Sequence, residues 1–123
     1  MNYLLVFVGG GLGSAARYGI SAAAIRLGWT AFPYATLAAN ILGCFLMGLL
    51  TELLALKFSL PQSTRLFLAT GVLGGFTTFS TFGLETALFV EEGRLAAALS
   101  YLALSVVVGL AALFAGMALV RTA

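Results

Sequence analysis

The side chains best suited to binding chemistry lie in one short stretch, GGFTTFSTFG, from Gly74 to Gly83. These ten residues include three threonines, one serine and three phenylalanines, set within a long apolar segment. Hydroxyl O–H groups and the electropositive edges of phenyl rings favour an anion, whereas backbone carbonyls released from a helix favour a cation. A narrow, uncharged lining selects by size and hydrogen bonding. The stretch therefore predicts contacts with a small, desolvated ion.

The elements that carry this stretch are predicted to be transmembrane helices. Hydrophobic residues make up 62% of the chain, charged residues 8%, and the mean hydropathy is +1.12. Apolar stretches at about 4–27, 34–56, 66–90 and 95–120 each reach the ~20 residues that span a bilayer as a helix. We expect an all-α integral membrane protein, with residues 1–123 forming a single four-helix transmembrane domain.

Few residues could support catalysis. The chain has no histidine, four carboxylates and one cysteine, Cys44, which is expected to pack inside the second helix. No ligand spacing typical of a metal site formed by side chains is present. We therefore expect neither an enzyme nor a nucleic-acid-binding protein. A cleaved signal peptide is not expected either, because no basic residue precedes the first apolar stretch.

The basic residues give no clear orientation in the membrane. With four helices, three basic residues fall at each membrane side, namely Lys57, Arg65 and Arg121 against Arg17, Arg26 and Arg94. A chain without charge bias can insert in both orientations, and two opposite copies can pair as an antiparallel, dual-topology homodimer. The alternative is that one loop charge dominates and fixes a single orientation. A bundle of only four helices has little interior, so a pore is more easily built between two chains.

Polar residues within the spans point to a pathway or to packing. Arg17 lies far enough along the first helix to reach a wet vestibule, or to snorkel to the interface. Asn40 carries two N–H donors, which could cap a neighbouring helix, bind an anion or hold helices together. In the third helix, the Gly74-Gly75 and Thr77-Thr78 pairs predict a break at mid-membrane.

Three segments resemble the signature motifs of the Fluc/CrcB fluoride channels. These segments are GGGLGSAARY from Gly9, TLAANILGCFLMG from Thr36 and GVLGGFTTFSTFGLE from Gly71. The resemblance covers the whole chain in helix count, loop length and motif order. It implies a multi-pass protein of the bacterial inner membrane, in which an antiparallel homodimer exports cytoplasmic fluoride passively through two pores around a structural sodium ion.

The resemblance also implies roles for particular residues. Gly74 and Thr77 would bind sodium through backbone carbonyls from both chains, and Phe79 and Phe82 would line the pores with their ring edges. The remaining residues of the implied fluoride pathway are Asn40, Ser80, Thr81, Arg17, Glu85, Tyr101 and Ser105. Two departures occur, because Phe76 stands where leucine is common and Gly83 stands where serine is common. The second departure removes one possible hydroxyl contact.

Two other classes of protein fit part of the sequence. A small multidrug-type exporter also has four helices and dual topology, but that class needs a membrane-embedded glutamate in its first helix, where this chain has Arg17. A structural or assembly subunit would explain the glycines and the apolar surface. It would leave the hydroxyl and phenyl groups of the third helix without a role.

Overall fold

The computed structural model describes residues 1–29, 31–57 and 59–122, and all regular structure within them is helical. Helix α1 is Asn2–Arg26 and helix α2 is Tyr34–Leu56. The third segment, Gln62–Glu91, and the fourth segment, Leu95–Thr122, each contain several helical elements. The described residues thus form four long helical segments.

The third segment is interrupted near its middle. Its first half comprises α3 (Gln62–Arg65), a π-helical stretch (Leu66–Leu73) and α4 (Gly74–Phe76), and its second half is α5 (Ser80–Glu91). Between the halves, Thr77 is extended, with φ −93° and ψ 158°. The sequence favours a break at both the Gly-Gly and the Thr-Thr pairs. The structure keeps both glycines helical, with Gly75 packed against Gly10 of α1, and breaks the helix at the threonines.

The fourth segment is continuous but also changes its winding. It comprises α6 (Leu95–Ala103), a π-helical turn (Leu104–Val108) and α7 (Gly109–Thr122). A π-helical turn widens the backbone spiral and often marks a functional position. This turn contains Ser105.

Three of the segments have the length and apolarity to cross a membrane, among the residues described. They are α2 with 23 residues, the third segment with 30 and the fourth with 28. Helix α1 has 25 residues, but glycines and Arg17 dilute its apolar run. Large apolar side chains remain exposed along the segments, including Phe7, Leu110 and Phe114. An apolar exterior on membrane-length helices identifies a multi-pass membrane protein.

Helix α1 and the third segment end in the same way. Gly28 and Gly93 have φ of 77° and 76°, in the left-handed region where a side chain would be strained. Beyond each glycine, the next amide donates back five residues: Trp29 N to Ala24 O at 2.9 Å and Arg94 N to Phe89 O at 2.8 Å. Both helix ends are therefore Schellman caps, which end the helix and set the direction of the loop that follows.

The first half of the third segment packs on α1 through glycines. A Cβ atom on Gly9 would lie 2.6 Å from Phe67 O, and one on Gly13 would lie 2.7 Å from Phe76 N. A Cβ on Gly75 would overlap the carbonyl of Gly10. Backbones this close gain van der Waals contact that larger side chains would prevent, as is usual between membrane helices.

Helix α2 packs mainly on α7. As between α1 and the third segment, the two backbones lie close together, and an ion pair joins the helices at one end. Side chains at Gly48 or Gly116 would overlap backbone carbonyls of the facing helix. Arg121 donates through Nε to Glu52 Oε2 at 3.0 Å and through Nη2 to Glu52 Oε1 at 3.2 Å. The Glu52 carboxylate is buried, and this two-pronged contact supplies its countercharge.

The second half of the third segment packs on α6 through aromatic rings. Phe82, Phe89, Ala98 and Tyr101 form the buried cluster between α5 and α6, with Phe32 packed against it. The two halves of the broken segment are therefore held by different neighbours, α1 for one half and α6 for the other.

A glycine pair in α1 provides a test of the backbone contact. Gly13→Ala should lower the thermal unfolding midpoint in detergent, because the new methyl group would overlap Val72 O. Gly11→Ala is the matched control, since its Cβ would meet nothing within 4 Å. Alanine is preferred to glycine in a helix by about 0.5–1 kcal/mol, so the control should be neutral or stabilising. Equal midpoints for both variants would contradict the close packing of α1.

Candidate functional site

Asn40 of α2 holds the break in the third segment. Its Nδ2 donates to Thr78 O at 3.1 Å, and its Oδ1 accepts from Thr78 N at 3.0 Å. The side-chain amide thus satisfies both backbone groups of one residue where the helix is interrupted. Of the three roles that the sequence leaves open for Asn40, binding the backbone of a neighbouring helix is directly seen. Its Nδ2 has a second N–H, which leaves one donor for another partner.

The Asn40 contact changes the hydrogen bonding of the preceding helix. In a continuous helix, Thr78 N would donate to Gly74 O, four residues earlier. That amide is instead bound by Asn40, which releases the Gly74 carbonyl from the helical ladder. The extended conformation of Thr77 likewise turns its carbonyl away from a helical direction. The two carbonyls expected to bind a cation are among those that the break releases from the helical ladder.

Hydroxyl groups stabilise both sides of the break. Thr77 Oγ1 donates to Leu73 O at 3.0 Å, which closes the last turn of the first half. Thr78 Oγ1 accepts from Thr81 N at 3.3 Å, which satisfies a free amide at the start of α5, and it lies 3.5 Å from Ser80 Oγ. Ser80 and Thr81 therefore lie at the amino-terminal end of α5, next to the break.

Phe79 and Phe82 are neighbours but differ in burial. Their ring centroids are 5.9 Å apart, with planes at 52°. Phe79 is 81% exposed, whereas Phe82 is 8% exposed and packs edge-on against Tyr101, with centroids 4.9 Å apart. One ring is fixed by its own chain, and the other projects from the protein beside the break.

An open cavity of about 540 Å³ lies beside the break. It brings together six of the residues predicted for the site: Asn40, Gly74, Thr77, Phe79, Phe82 and Ser105. Ser105 Oγ is buried and has no hydrogen-bond partner within the described part of the chain, so its donor is available. The cavity is thus lined by two phenylalanines, by Asn40 and Ser105, by residues of the break, and by apolar side chains such as Met47 and Leu113.

The other predicted residues lie outside this cavity. Tyr101 OH donates to Glu85 Oε1 at 2.9 Å, one turn beyond Phe82 along α5. Arg17 lies on α1, and its buried Nε has no partner in the described ranges. Ser80 and Thr81 lie at the edge of the break, as described above.

Some residues of the site were not predicted from the sequence. Thr78 supplies the backbone groups that Asn40 binds, and Cys44 and Met47 line the cavity. Gly43 allows the close approach of α2, because a Cβ there would overlap Thr77 Cγ2. The spacing of Asn40 and Gly43, three residues apart on a helix, places both on one face and is the signal that could have revealed the contact.

The fold and the site define a class of protein. It is a multi-pass membrane protein, helical throughout the regular structure of its described residues, in which one membrane-length segment breaks beside an open, uncharged cavity. Residues 4–117 match the family described as CrcB-like protein, Camphor Resistance (CrcB). The chain belongs to the CrcB family, which confirms the resemblance seen in its motifs.

Relatives match over almost the whole chain. The "Fluoride-specific ion channel FluC" of Granulibacter bethesdensis is 52% identical, over 99% of this chain and 96% of that protein. The protein with the same name from Methylobacterium nodulans is 52% identical, over 98% and 97%. The one from Agrobacterium fabrum is 49% identical, over 98% and 97%. Ion channels are not an enzyme class, which agrees with the expectation that this chain is not an enzyme.

The Asn40 contact predicts a large and local effect on stability. Asn40→Leu keeps the size of the side chain but leaves Thr78 N and Thr78 O without partners, at about 1–3 kcal/mol each. We expect a lower unfolding midpoint and faster hydrogen exchange at the Thr78 amide. Met47→Leu, in the same helix and cavity, should cost under about 1.5 kcal/mol as a volume-conserving change. If Asn40→Leu and Met47→Leu had the same unfolding midpoint and the same exchange rate at the Thr78 amide, the Asn40 contact would not be what holds the break.

Proposed function

We propose that the chain is a fluoride-selective channel that exports cytoplasmic fluoride passively across the bacterial inner membrane and so lowers its toxicity. Relatives about half identical over nearly the whole chain carry the name fluoride-specific ion channel. The observation that carries the proposal is the cavity in which Phe79, Phe82, Asn40 and Ser105 meet. All four offer hydrogen-bond donors or electropositive ring edges, and none is a fixed cation.

Such a lining suits fluoride on chemical grounds. Fluoride is small and strongly hydrated, so it passes a narrow site only where donors replace its water. The second N–H of Asn40 and the unpartnered Ser105 hydroxyl are such donors. Phenyl edges add weak positive potential without holding the ion too tightly. Ser80, Thr81 and Glu85 continue this pathway along α5, Tyr101 faces Glu85 from α6, and Arg17 attracts anions to its vestibule.

The working unit in this proposal is an antiparallel, dual-topology homodimer with two pores. Within one chain, α5 packs chiefly on α6, which leaves Phe79 exposed and the cavity open. A second copy over this face would bury the ring and narrow the cavity to a passage. The even division of basic residues between the two membrane sides supports opposite insertion of the two copies.

Sodium is proposed as the structural ion at the centre of the dimer. The Gly74 and Thr77 carbonyls are among those that the break releases, and both residues line the open cavity. Two carbonyls from each of two chains would give four neutral oxygen ligands, which suit a hard monovalent cation. When bound, the ion would supply positive charge that joins the two breaks. The residues themselves position the carbonyls through Asn40.

Ion flux from liposomes tests the proposed function. Purified protein in sodium-containing vesicles should release fluoride down its gradient when a potassium carrier balances charge, and should release almost no chloride. Equal release of both ions would exclude fluoride selectivity. Proton-coupled export of a cationic dye without fluoride release would support a multidrug-type exporter instead.

The phenyl rings should be needed for conduction rather than for folding. Phe79→Ile keeps the bulk but removes the ring edge, so fluoride efflux should fall at least about tenfold while dimers persist on gel filtration. Phe82→Ile should also block efflux, with some loss of stability because Phe82 packs on Tyr101. Phe7→Ile is the control, since Phe7 is 79% exposed and lies away from the cavity. Near-normal efflux in both pathway variants would remove the phenyl-edge mechanism.

The sodium site should depend on backbone shape. Thr77→Ser retains the hydroxyl that donates to Leu73 O and should remain active. Gly74→Val should abolish fluoride efflux, because a branched side chain would crowd the carbonyls where two chains meet. Within one chain, a Cβ at Gly74 comes no closer than 3.6 Å to Ala69 O, so the chain itself should still fold. Efflux that is equal in sodium and in a large organic cation would contradict a structural sodium ion.

Dual topology should be visible with reporters. Fusions after Ala123 should be found on both sides of the membrane, because the basic residues divide evenly. Two lysines added after Arg121 should bias that end to the cytoplasm and reduce activity, until a copy with the opposite bias is supplied. Reporters confined to one side in the unmodified chain would exclude dual insertion.

A further inference from the structure

A second cavity, of about 230 Å³, lies at the end of the third segment. Its lining includes Phe32 and Leu88, together with three charged residues, Glu85, Glu92 and Arg94. The charged residues distinguish it from the first cavity, whose lining is uncharged. It lies at the membrane side where α5 ends and α6 begins.

The two cavities follow one another along α5. Phe82 lines the first and Glu85 the second, and residues three apart lie on one face of a helix. Tyr101 spans the boundary, because its ring packs on Phe82 at 4.9 Å and its hydroxyl donates to Glu85 at 2.9 Å. Phe82, Tyr101 and Glu85 therefore join the linings of the two cavities along this face of α5.

The charges of the second cavity pose a problem for an anion. Two carboxylates line it, and the carbonyl end of α5 adds partial negative charge. Arg94 is the single cation among its lining residues. The Schellman cap fixes the backbone of Arg94, and its guanidinium lies 4.7 Å from the centre of the Phe89 ring and 3.8 Å from Glu92. The positive charge is therefore held in place at the cavity.

We propose that the second cavity is the outer mouth of the ion pathway and that Arg94 lets an anion pass it, by offsetting the charges of Glu85 and Glu92. The inference rests on the proposed fluoride channel and adds a residue to it. Arg94 acts through long-range attraction at a wet mouth. Its contribution must therefore depend on charge and must weaken as salt screens it.

A purely structural role for Arg94 makes a different prediction. If Arg94 only packs on Phe89 or caps the chain, its loss would reduce stability and slow efflux equally at every salt concentration. The two roles are separated by the salt dependence of fluoride efflux and by a variant that keeps only the charge.

The test compares charge variants of the full-length protein in liposomes at constant sodium. Ionic strength is set at about 0.1 M or 1 M with a large, impermeant anion, which shortens the screening length from roughly 10 Å to 3 Å. Arg94→Gln should slow fluoride efflux about threefold at the lower ionic strength and much less at the higher. Arg94→Lys should retain most of the activity. Glu92→Gln should speed efflux at the lower ionic strength, which gives a readout that does not require the loss of Arg94.

Arg26→Gln is the matched control. Arg26 ends α1 at the same membrane side and lines neither cavity, so its loss changes the topological charge balance equally. If Arg94→Gln and Arg26→Gln gave the same fluoride efflux at both salt concentrations, this inference would be overturned, while the proposed function would stand. A salt-independent loss that lysine does not restore would also overturn it. No fluoride efflux from the unmodified protein would overturn the proposed function together with this inference.

Discussion

The pairing of one side-chain amide with one backbone residue is the constraint on which the rest of the site depends. A helix broken inside a membrane exposes N–H and C=O groups that lipid cannot satisfy. Asn40 meets both groups of Thr78, and α2 must therefore pass directly beside the break. Gly43 makes that approach possible, since any side chain there would overlap Thr77. The released Gly74 carbonyl and the new start of α5 are consequences of the same contact.

The two halves of the broken segment are stabilised by different physical means. Glycines bring the first half into backbone contact with α1, where a larger side chain at Gly9, Gly13 or Gly75 would collide with backbone atoms. Rings hold the second half against α6, with Phe82 and Tyr101 at the centre. The cavity lies beside the break between these two interfaces, and its lining residues come from α2, from the third segment and from the fourth segment. This arrangement leaves the ring of Phe79 81% exposed within the described part of the chain.

Local sequence predicts part of this structure well. Apolar runs predict the membrane-length helices, and the motifs predict the residues that meet in the first cavity. The position of the break is less predictable, because glycine weakens a helix by itself, yet Gly75 is held helical by its contact with Gly10. Thr78 and the buried Glu52 are missed for a related reason. Their partners lie 38 and 69 residues away, and no local pattern reveals which side chains will meet.

The Asn40 contact also bears on how the chain is assembled. Asn40 is synthesised before Thr78, so α2 enters the membrane while its amide still lacks its backbone partner. Neither half of the third segment, Gln62–Phe76 or Ser80–Glu91, has the ~20 residues that would stabilise it alone as a spanning helix. The Asn40 amide of α2 therefore lacks its partner until the third segment has been made, and the backbone of Thr78 in turn needs that amide. Because each group satisfies the other, we expect α2 and the third segment to stabilise one another during membrane insertion.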